Sequence, residues 1–247
     1  MIKNYNEYHY SHKEKIIYIG QGLIISIVVG WLFYRSFIGI LLTFLIIPLY
    51  YKRKRYQLVQ KRKWQLNLEF RDGIQSMATA LSAGYSVENA LEEAYKDLSH
   101  MYQKDAYIIK EFSYIINQLT MNVSIEKAFN DLGERSDIED IKSFAQVFSI
   151  GKRTGGNLVD VIKTSSNIIS DKIRVKGEIM TAISAKKKEA QIMKIIPFAF
   201  LAYLSLASPN LLDPLYHNAF GVLIMSCLLV LYLVAYALIE KIININF

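Results

Sequence analysis

Four stretches of this 247-residue chain are too apolar for an ordinary soluble surface, and they come in two pairs, one near each end. Residues 16–34 run without a charge, about 28 Å as an α-helix against a hydrocarbon core about 30 Å thick. Arg35 and Ser36 interrupt the run, and residues 37–51 continue it for about 22 Å. One unbroken helix over both would reach about 54 Å, too long for a single crossing. A tight hairpin is therefore expected. Its shorter arm is extended by Tyr50 and Tyr51 at the interface and by Lys52 and Arg53 reaching towards water. The second pair covers residues 192–208, with Lys194 and Pro197 near its start, and residues 220–239, which carry no charge and end at Glu240-Lys241. Pro209, Asn210, Asp213 and Pro214 mark a polar loop between its arms.

Charge orients the two pairs. The formal net charge is +7, yet residues 64–191 are close to neutral, and the run from Lys52 to Lys63 alone holds seven Lys and Arg with no acid. A nucleic-acid-binding protein is expected to spread its basic residues over a folded face, so that class is set aside. A basic cluster beside an apolar span instead fixes cytoplasmic orientation and attracts anionic lipid headgroups. Lys13 and Lys15 precede the first pair, Lys186–Lys188 and Lys194 precede or open the second, and Lys241 follows it. Each pair then begins and ends in the cytoplasm, which puts residues 1–15, the central segment and residues 241–247 on that side. Residues 1–15 read as a solvated tail at headgroup level. They lack the pattern of a cleaved signal peptide.

From residue 64 to 191 the pattern changes to amphipathic helices, with apolar residues three and four apart and no proline. The expected helices are residues 64–83, 87–98, 102–119, 125–132, 137–152 and 158 to about 187, which together form a six-helix bundle. Residues 81–91 (L-S-A-G-Y-S-V-E-N-A-L) echo residues 119–129 (L-T-M-N-V-S-I-E-K-A-F) at an offset of 38. In each copy Gly84 or Asn122 ends one helix and Ser86 or Ser124 caps the next. A looser third copy comes later in the chain, with Gly155 and Gly156 as the break and Asn157 as the cap.

Chemistry has little purchase on this chain. Gly151-Lys152-Arg153-Thr154 is superficially like the end of a phosphate-binding loop. Gln146 stands where that loop needs glycine, Arg153 where it needs a hydroxyl, and no strand leads in. His9 and His12 are three apart but have no further ligand beside them, and a metal site needs three or four. The one cysteine, Cys227, excludes an internal disulfide. No catalytic, cofactor or metal residues are assigned. Glu134, Asp137, Glu139 and Asp140 gather near a helix start, where acids meet the helix dipole favourably. With Lys152 and Arg153 they are the candidates for docking a partner.

Several segments carry a family resemblance: F-R-D-G-I-Q-S-M-A-T-A-L-S-A-G-Y-S-V-E-N-A-L (residues 70–91), V-S-I-E-K-A-F-N-D-L-G-E-R (123–135), F-S-I-G-K-R-T-G-G-N-L-V-D-V-I (148–162) and S-A-K-K-K-E-A-Q-I-M-K-I-I-P (184–197). Over residues 64–240 the chain resembles the F-domain proteins of type II secretion systems, and most of all the TadB/TadC-like platforms of tight-adherence (Flp) pilus machines. It departs from the pattern at Ala185-Lys186-Lys187-Lys188, where a Glu-Gly-Arg-like sequence is expected. The TadB and TadC roles both stay open. The resemblance implies an oligomeric, non-enzymatic platform in a bacterial or archaeal cytoplasmic membrane. Its implied partners are a hexameric TadA-like secretion ATPase, a second, TadC-like F-domain protein and pilin subunits.

The expected architecture is all-α: two transmembrane helical hairpins (residues 16–51 and 192–240) flanking a basic segment (52–63) and a cytoplasmic six-helix domain (64–191). Two other readings compete with a platform. A membrane-tethered signalling or scaffold bundle fits the same architecture. A transporter or channel fits the spans but lacks the mid-span ionisable residues that mark a solute path.

Overall fold

A computed structural model describes residues 4–7, 10, 12–35, 46–155, 157–216 and 218–243. Among them every regular element is a helix: α1 (His12–Tyr34), α2 (Ile46–Ser82), α3 (Val87–Met101), α4 (Tyr107–Thr120), α5 (Ile125–Ser136), α6 (Glu139–Arg153), α7 (Leu158–Ala207), α8 (Pro209–Tyr216) and α9 (Ala219–Ile243). The chain divides into two compact units, Met1–His9 with Arg55–Val175, and Tyr10–Lys54 with Lys176–Phe247.

The first unit is the bundle. Its core arises directly from the apolar periodicity. On α2 the buried residues Leu66, Phe70, Ile74, Met77 and Leu81 recur every three or four positions and so form one stripe. Leu91, Ala94 and Leu98 on α3 do the same, as do Ile108, Phe112 and Ile115 on α4 and Ile125, Phe129 and Leu132 on α5. Phe144 of α6 is the centre of an aromatic cluster. It meets Phe70 and Phe129 edge-on at 5.4 and 5.1 Å and stacks on Phe148 at 5.7 Å. Gly73 lets α2 approach α4, because a Cβ there would lie 2.7 Å from Phe112 Cζ.

One buried carboxylate ties helices together here. Glu69 of α2 accepts a hydrogen bond from the Ile108 backbone N–H at 2.9 Å, and Gln65 donates to its other oxygen at 3.0 Å. Ala106, at the head of α4, offers no capping side chain. Glu69 therefore satisfies one of the amides that every helix start leaves open, and its charge sits at the positive end of the α4 dipole.

The second unit joins α1, the start of α2, the later part of α7, α8 and α9. Val29, Leu32, Phe33, Leu212, Tyr216 and Met225 form its buried core. Tyr216 donates to the Leu32 carbonyl at 2.7 Å, Tyr34 shares a hydrogen bond with Ser226 at 3.0 Å, and Arg35 donates to Ser205 at 3.0 Å. Outside that core the helices are apolar and exposed, as at Ile195, Phe200, Leu206, Leu223 and Leu231. Among the described residues three helices, α1, α7 and α9, hold stretches long and apolar enough to cross a membrane. Exposed side chains of that kind suit a surrounding solvent of lipid tails.

Three expectations change. Residues 1–15 are not simply a solvated tail: Tyr5 is 1% exposed within the bundle core, and α1 already begins at His12. The loop expected around Pro209–Pro214 contains a short helix, α8. Proline at its first position loses no helical hydrogen bond, and Leu212 and Tyr216, four apart, share a buried face. The helix expected from residue 102 starts at Tyr107, once Glu69 supplies its missing cap. Of the second apolar run, residues 37–45 lie outside the described residues, and Ile46–Tyr51 open α2 without a break before the basic run.

Replacing Phe144 by Ala removes the ring that three other phenylalanines pack against. The expected loss is about 3–5 kcal/mol of bundle stability. Chemical unfolding of the detergent-solubilised protein measures it, and an exposed control such as Gln146→Ala should change little.

Candidate functional site

The repeat seen in the sequence recurs as a repeated hydrogen-bond pattern. At the end of α2, Gly84 has φ +93°, its N–H donates to Leu81 O, and the Tyr85 N–H donates to Ala80 O. At the end of α4, 38 residues on, Asn122 has φ +61°, its N–H donates to Leu119 O, and the Val123 N–H donates to Gln118 O. A left-handed residue just past a helix end gives its last carbonyls the donors that they lack. Gly155 at the end of α6 has φ +67°. Gly156 lies outside the described residues.

The caps divide more unevenly. Ser86 Oγ accepts from the Asn89 N–H at 3.3 Å, and Asn157 Oδ1 accepts from the Val159 N–H at 3.2 Å. Ser124 holds the N-cap position of α5 in extended backbone but makes no side-chain cap bond. The backbone entry is nevertheless the same in all three, with Ala90, Ala128 and Val161 donating to the carbonyls of Ser86, Ser124 and Asn157.

One side chain shows that these turns share an end of the bundle. Lys152, in the last turn of α6, reaches Glu88 in the first turn of α3 at 3.5 Å and Glu126 in the first turn of α5 at 3.4 Å. Partial burial pushes the Glu126 carboxyl up. Its own backbone N–H and Lys152 outweigh that and hold it below the ordinary carboxylate range. Lys152 is thus a bridge between helix starts. It lies in a helix, ahead of the glycine turn, which is not how a phosphate loop presents its lysine. Arg153 beside it is exposed. Tyr85, Met121 and Ile150 add exposed apolar side chains at this end.

The acidic half of the expected docking set lies at the other end of α5, and two of its four members are engaged within the bundle. Asp137 terminates α5 in the left-handed conformation, φ +51°, and pairs with Lys142 at 2.7 Å and Lys63 at 3.0 Å. Hydrogen bonds from Lys142 and then Lys63 pull its carboxyl down to about 2. Asp140 binds Lys172 at 2.7 Å and the Asn67 amide at 2.9 Å. Glu134 and Glu139 are exposed. So the structure does not bring Lys152 and Arg153 together with residues 134–140.

Sequence reading missed a buried ion cluster. Arg135 makes a two-pronged contact with Glu111, 3.1 Å to one oxygen and 2.7 Å to the other, and its Nε donates to Asp131 at 2.7 Å. Burial works against the guanidinium charge, but Glu111 and Asp131 more than offset it and hold the group protonated. Tyr5 donates to Glu111 Oε1 at 2.7 Å and is held protonated by burial and by that carboxylate. Nothing periodic in residues 1–15 announced this. The only hint was an aromatic residue in a polar stretch.

Polar groups along the α2–α3 groove are likewise engaged with one another. Tyr102 and Arg71 bind Asp72, and Ser76 binds Asp97. Among the described residues no group of three or more His, Cys, Asp or Glu is arranged to hold a metal, and His9 lies outside them. The polar contacts described in the bundle are ion pairs, caps, hydroxyl–carboxylate bonds and helix ties.

A family model described as type II secretion system (T2SS), protein F, matches residues 74–206. The match takes in the last quarter of α2, all of α3 to α6, and α7 to its last turn. No curated protein and no solved structure matches the chain.

Two outcomes are expected from these contacts. Gly84→Val and Gly155→Val each force a β-branched residue to positive φ, at a cost of order 1–2 kcal/mol or more. Thermal unfolding should show the loss at both positions and not for Gly177→Ala, a helical site with open space around it. For Asp137, the lowered pKa contributes stability that is fully present above the ordinary value of 3.8 and lost as pH falls towards about 2. An unfolding series from pH 5 to 2 should therefore show less acid sensitivity in Asp137→Asn, because asparagine keeps the left-handed turn and removes the titration.

Proposed function

Since the chain belongs to the type II secretion system protein F family, we propose that it is the membrane platform of a tight-adherence-like pilus or secretion machine. In this reading it couples a hexameric cytoplasmic ATPase to the extraction and assembly of pilin subunits. The observation that carries it is the family match over residues 74–206, in a chain whose α1, α7 and α9 are all suited to span a membrane. The protein is a multi-pass membrane protein of a family of platforms, and the bundle supplies contacts rather than chemistry.

Chain parity supports two hairpins with a cytoplasmic bundle. Tyr5 and Arg55–Val175 belong to one compact unit, and α1 between them has the length and apolarity of a span. A chain that crosses once after Tyr5 must cross back before rejoining that unit, and in the sequence the apolar run of residues 37–51 is the stretch that offers a return. Beyond Val175, the apolar parts of α7 and α9 supply a second outward and return pair. The basic residues at Lys52–Lys63 and Lys186–Lys188 support a cytoplasmic position for the bundle side.

For the ATPase contact we place the docking face at the three-turn end. Arg153 and the apolar Tyr85, Met121 and Ile150 are exposed there. This end lies about 40 Å along α2 from Arg55, at 1.5 Å per residue. A second F-domain protein and the pilin helices would meet other faces.

Deletion of the gene should abolish surface fibres or secretion of the cognate substrate. The purified protein should co-purify with its ATPase without hydrolysing ATP itself. Arg153→Glu should weaken that association about tenfold while leaving the unfolding midpoint unchanged, the ordinary behaviour of an exposed charge at an interface. Intrinsic ATP turnover abolished by Lys152→Ala, or normal fibres in the deletion strain, would defeat the platform reading.

A further inference from the structure

The residues ahead of α1 dock on the bundle through more than one contact. The Tyr5 ring is buried edge-on against Tyr107 at 5.8 Å, and its hydroxyl donates to Glu111. Its backbone N–H donates to the Arg135 carbonyl at 3.1 Å, and Arg62 of α2 donates to the Glu7 carbonyl at 3.3 Å. The segment is thus held by α2, α4 and the end of α5. A few residues later the chain enters α1, the first candidate span.

Two features make this attachment separable from the bundle itself. The segment has no helix of its own in residues 4–7, so its hold is made of side-chain and single backbone contacts. Glu111 keeps its two-pronged contact with Arg135 whether or not Tyr5 is present. Undocking therefore leaves no orphaned buried charge, the condition that ordinarily makes loss of a buried contact prohibitive.

We propose that residues 4–7 form a releasable strap that couples the α4–α5 part of the bundle to the start of α1, anchored by Tyr5 in a slot beside Glu111, Arg135 and Tyr107. The bundle then holds the first span by two routes. One is the covalent return through α2, and the other is this strap. A displacement of α4 or α5 reaches the first turns of α1 through the strap without passing through the return arm. A single aromatic anchor on an extended segment suits local opening well below the free energy of global unfolding.

Hydrogen exchange on the full-length protein in lipid nanodiscs tests this without any secretion partner, so its outcome is independent of the platform reading. In the wild type the Tyr5 amide should exchange on the order of a hundredfold more slowly than in an unstructured peptide, yet faster than the core amides of Phe112 and Ile115. Tyr5→Ala should abolish that protection and speed exchange at the Ile16 to Ile19 amides several-fold, with Phe112 and Ile115 unchanged. Tyr5→Phe, which keeps the ring and loses the hydroxyl, should fall between the two. Should Tyr5→Ala destabilise the bundle, Tyr5→Phe carries the test alone. An unprotected Tyr5 amide in the wild type overturns the strap. Exchange at Ile16 to Ile19 that ignores both variants overturns the coupling. Equal loss of protection at Tyr5 and Phe112 shows an ordinary core residue and overturns release.

Discussion

The bundle depends on reversing a helical chain at one end, again and again, within very few residues. Each reversal needs a residue with positive φ, and an ordinary L-residue there costs roughly 1–2 kcal/mol. Gly84, Asn122 and Gly155 meet that need. At the first two, where the pattern is complete, the same pair of backbone hydrogen bonds closes the turn at an offset of 38 residues. The turn also sets the register of the next helix, since the cap two residues on fixes where α3, α5 and α7 begin. Three helix starts are gathered at one end, and the acids of two of them face a common cation. Lys152 bridging Glu88 and Glu126 is the consequence.

Buried charge is managed by the same economy of partners. Glu69 neutralises the start of α4, which has no cap of its own. Glu111 and Arg135 satisfy each other, with Asp131 and Tyr5 taking up the remaining hydrogen-bonding positions. Removing Glu111 or Arg135 would leave the other's charge in a low-dielectric site, which is why buried pairs are costly to break even when they contribute little net stability. These contacts tie α2, α4 and the end of α5 to one another within the bundle.

The elements legible in the sequence were those specified by local pattern. Apolar spacing gave α3, α5 and α6 to within a few residues, and the glycine and asparagine positions gave the turns. The features that escaped depend on partners far away in the chain. Tyr5 finds Glu111 over a separation of 106 residues, and no periodicity in a polar stretch announces it. Asp137 looked like an acid at a helix start, but it closes the preceding helix in the left-handed conformation while two lysines neutralise it. The sequence offers Lys152 and the acids of residues 134–140 together as docking candidates. An α-helix of 12 residues puts its two ends about 18 Å apart, and α5 does so here.

The same sorting narrows the lipid-facing reading of the basic run. Seven cations between Lys52 and Lys63 suggested one electrostatic patch, yet the helix distributes them around its circumference. Arg53 pairs with Glu240, Lys54 lies over the Tyr18 ring, Arg62 holds the Glu7 carbonyl and Lys63 holds Asp137. Lys52, Arg55 and Lys61 are exposed. A juxtamembrane cation attracts anionic headgroups with about 1 kcal/mol only while it is near the surface and free to approach them. The structure thus assigns most of the run to holding the two compact units in shape. Within this run three side chains, rather than seven, are left exposed for such an attraction.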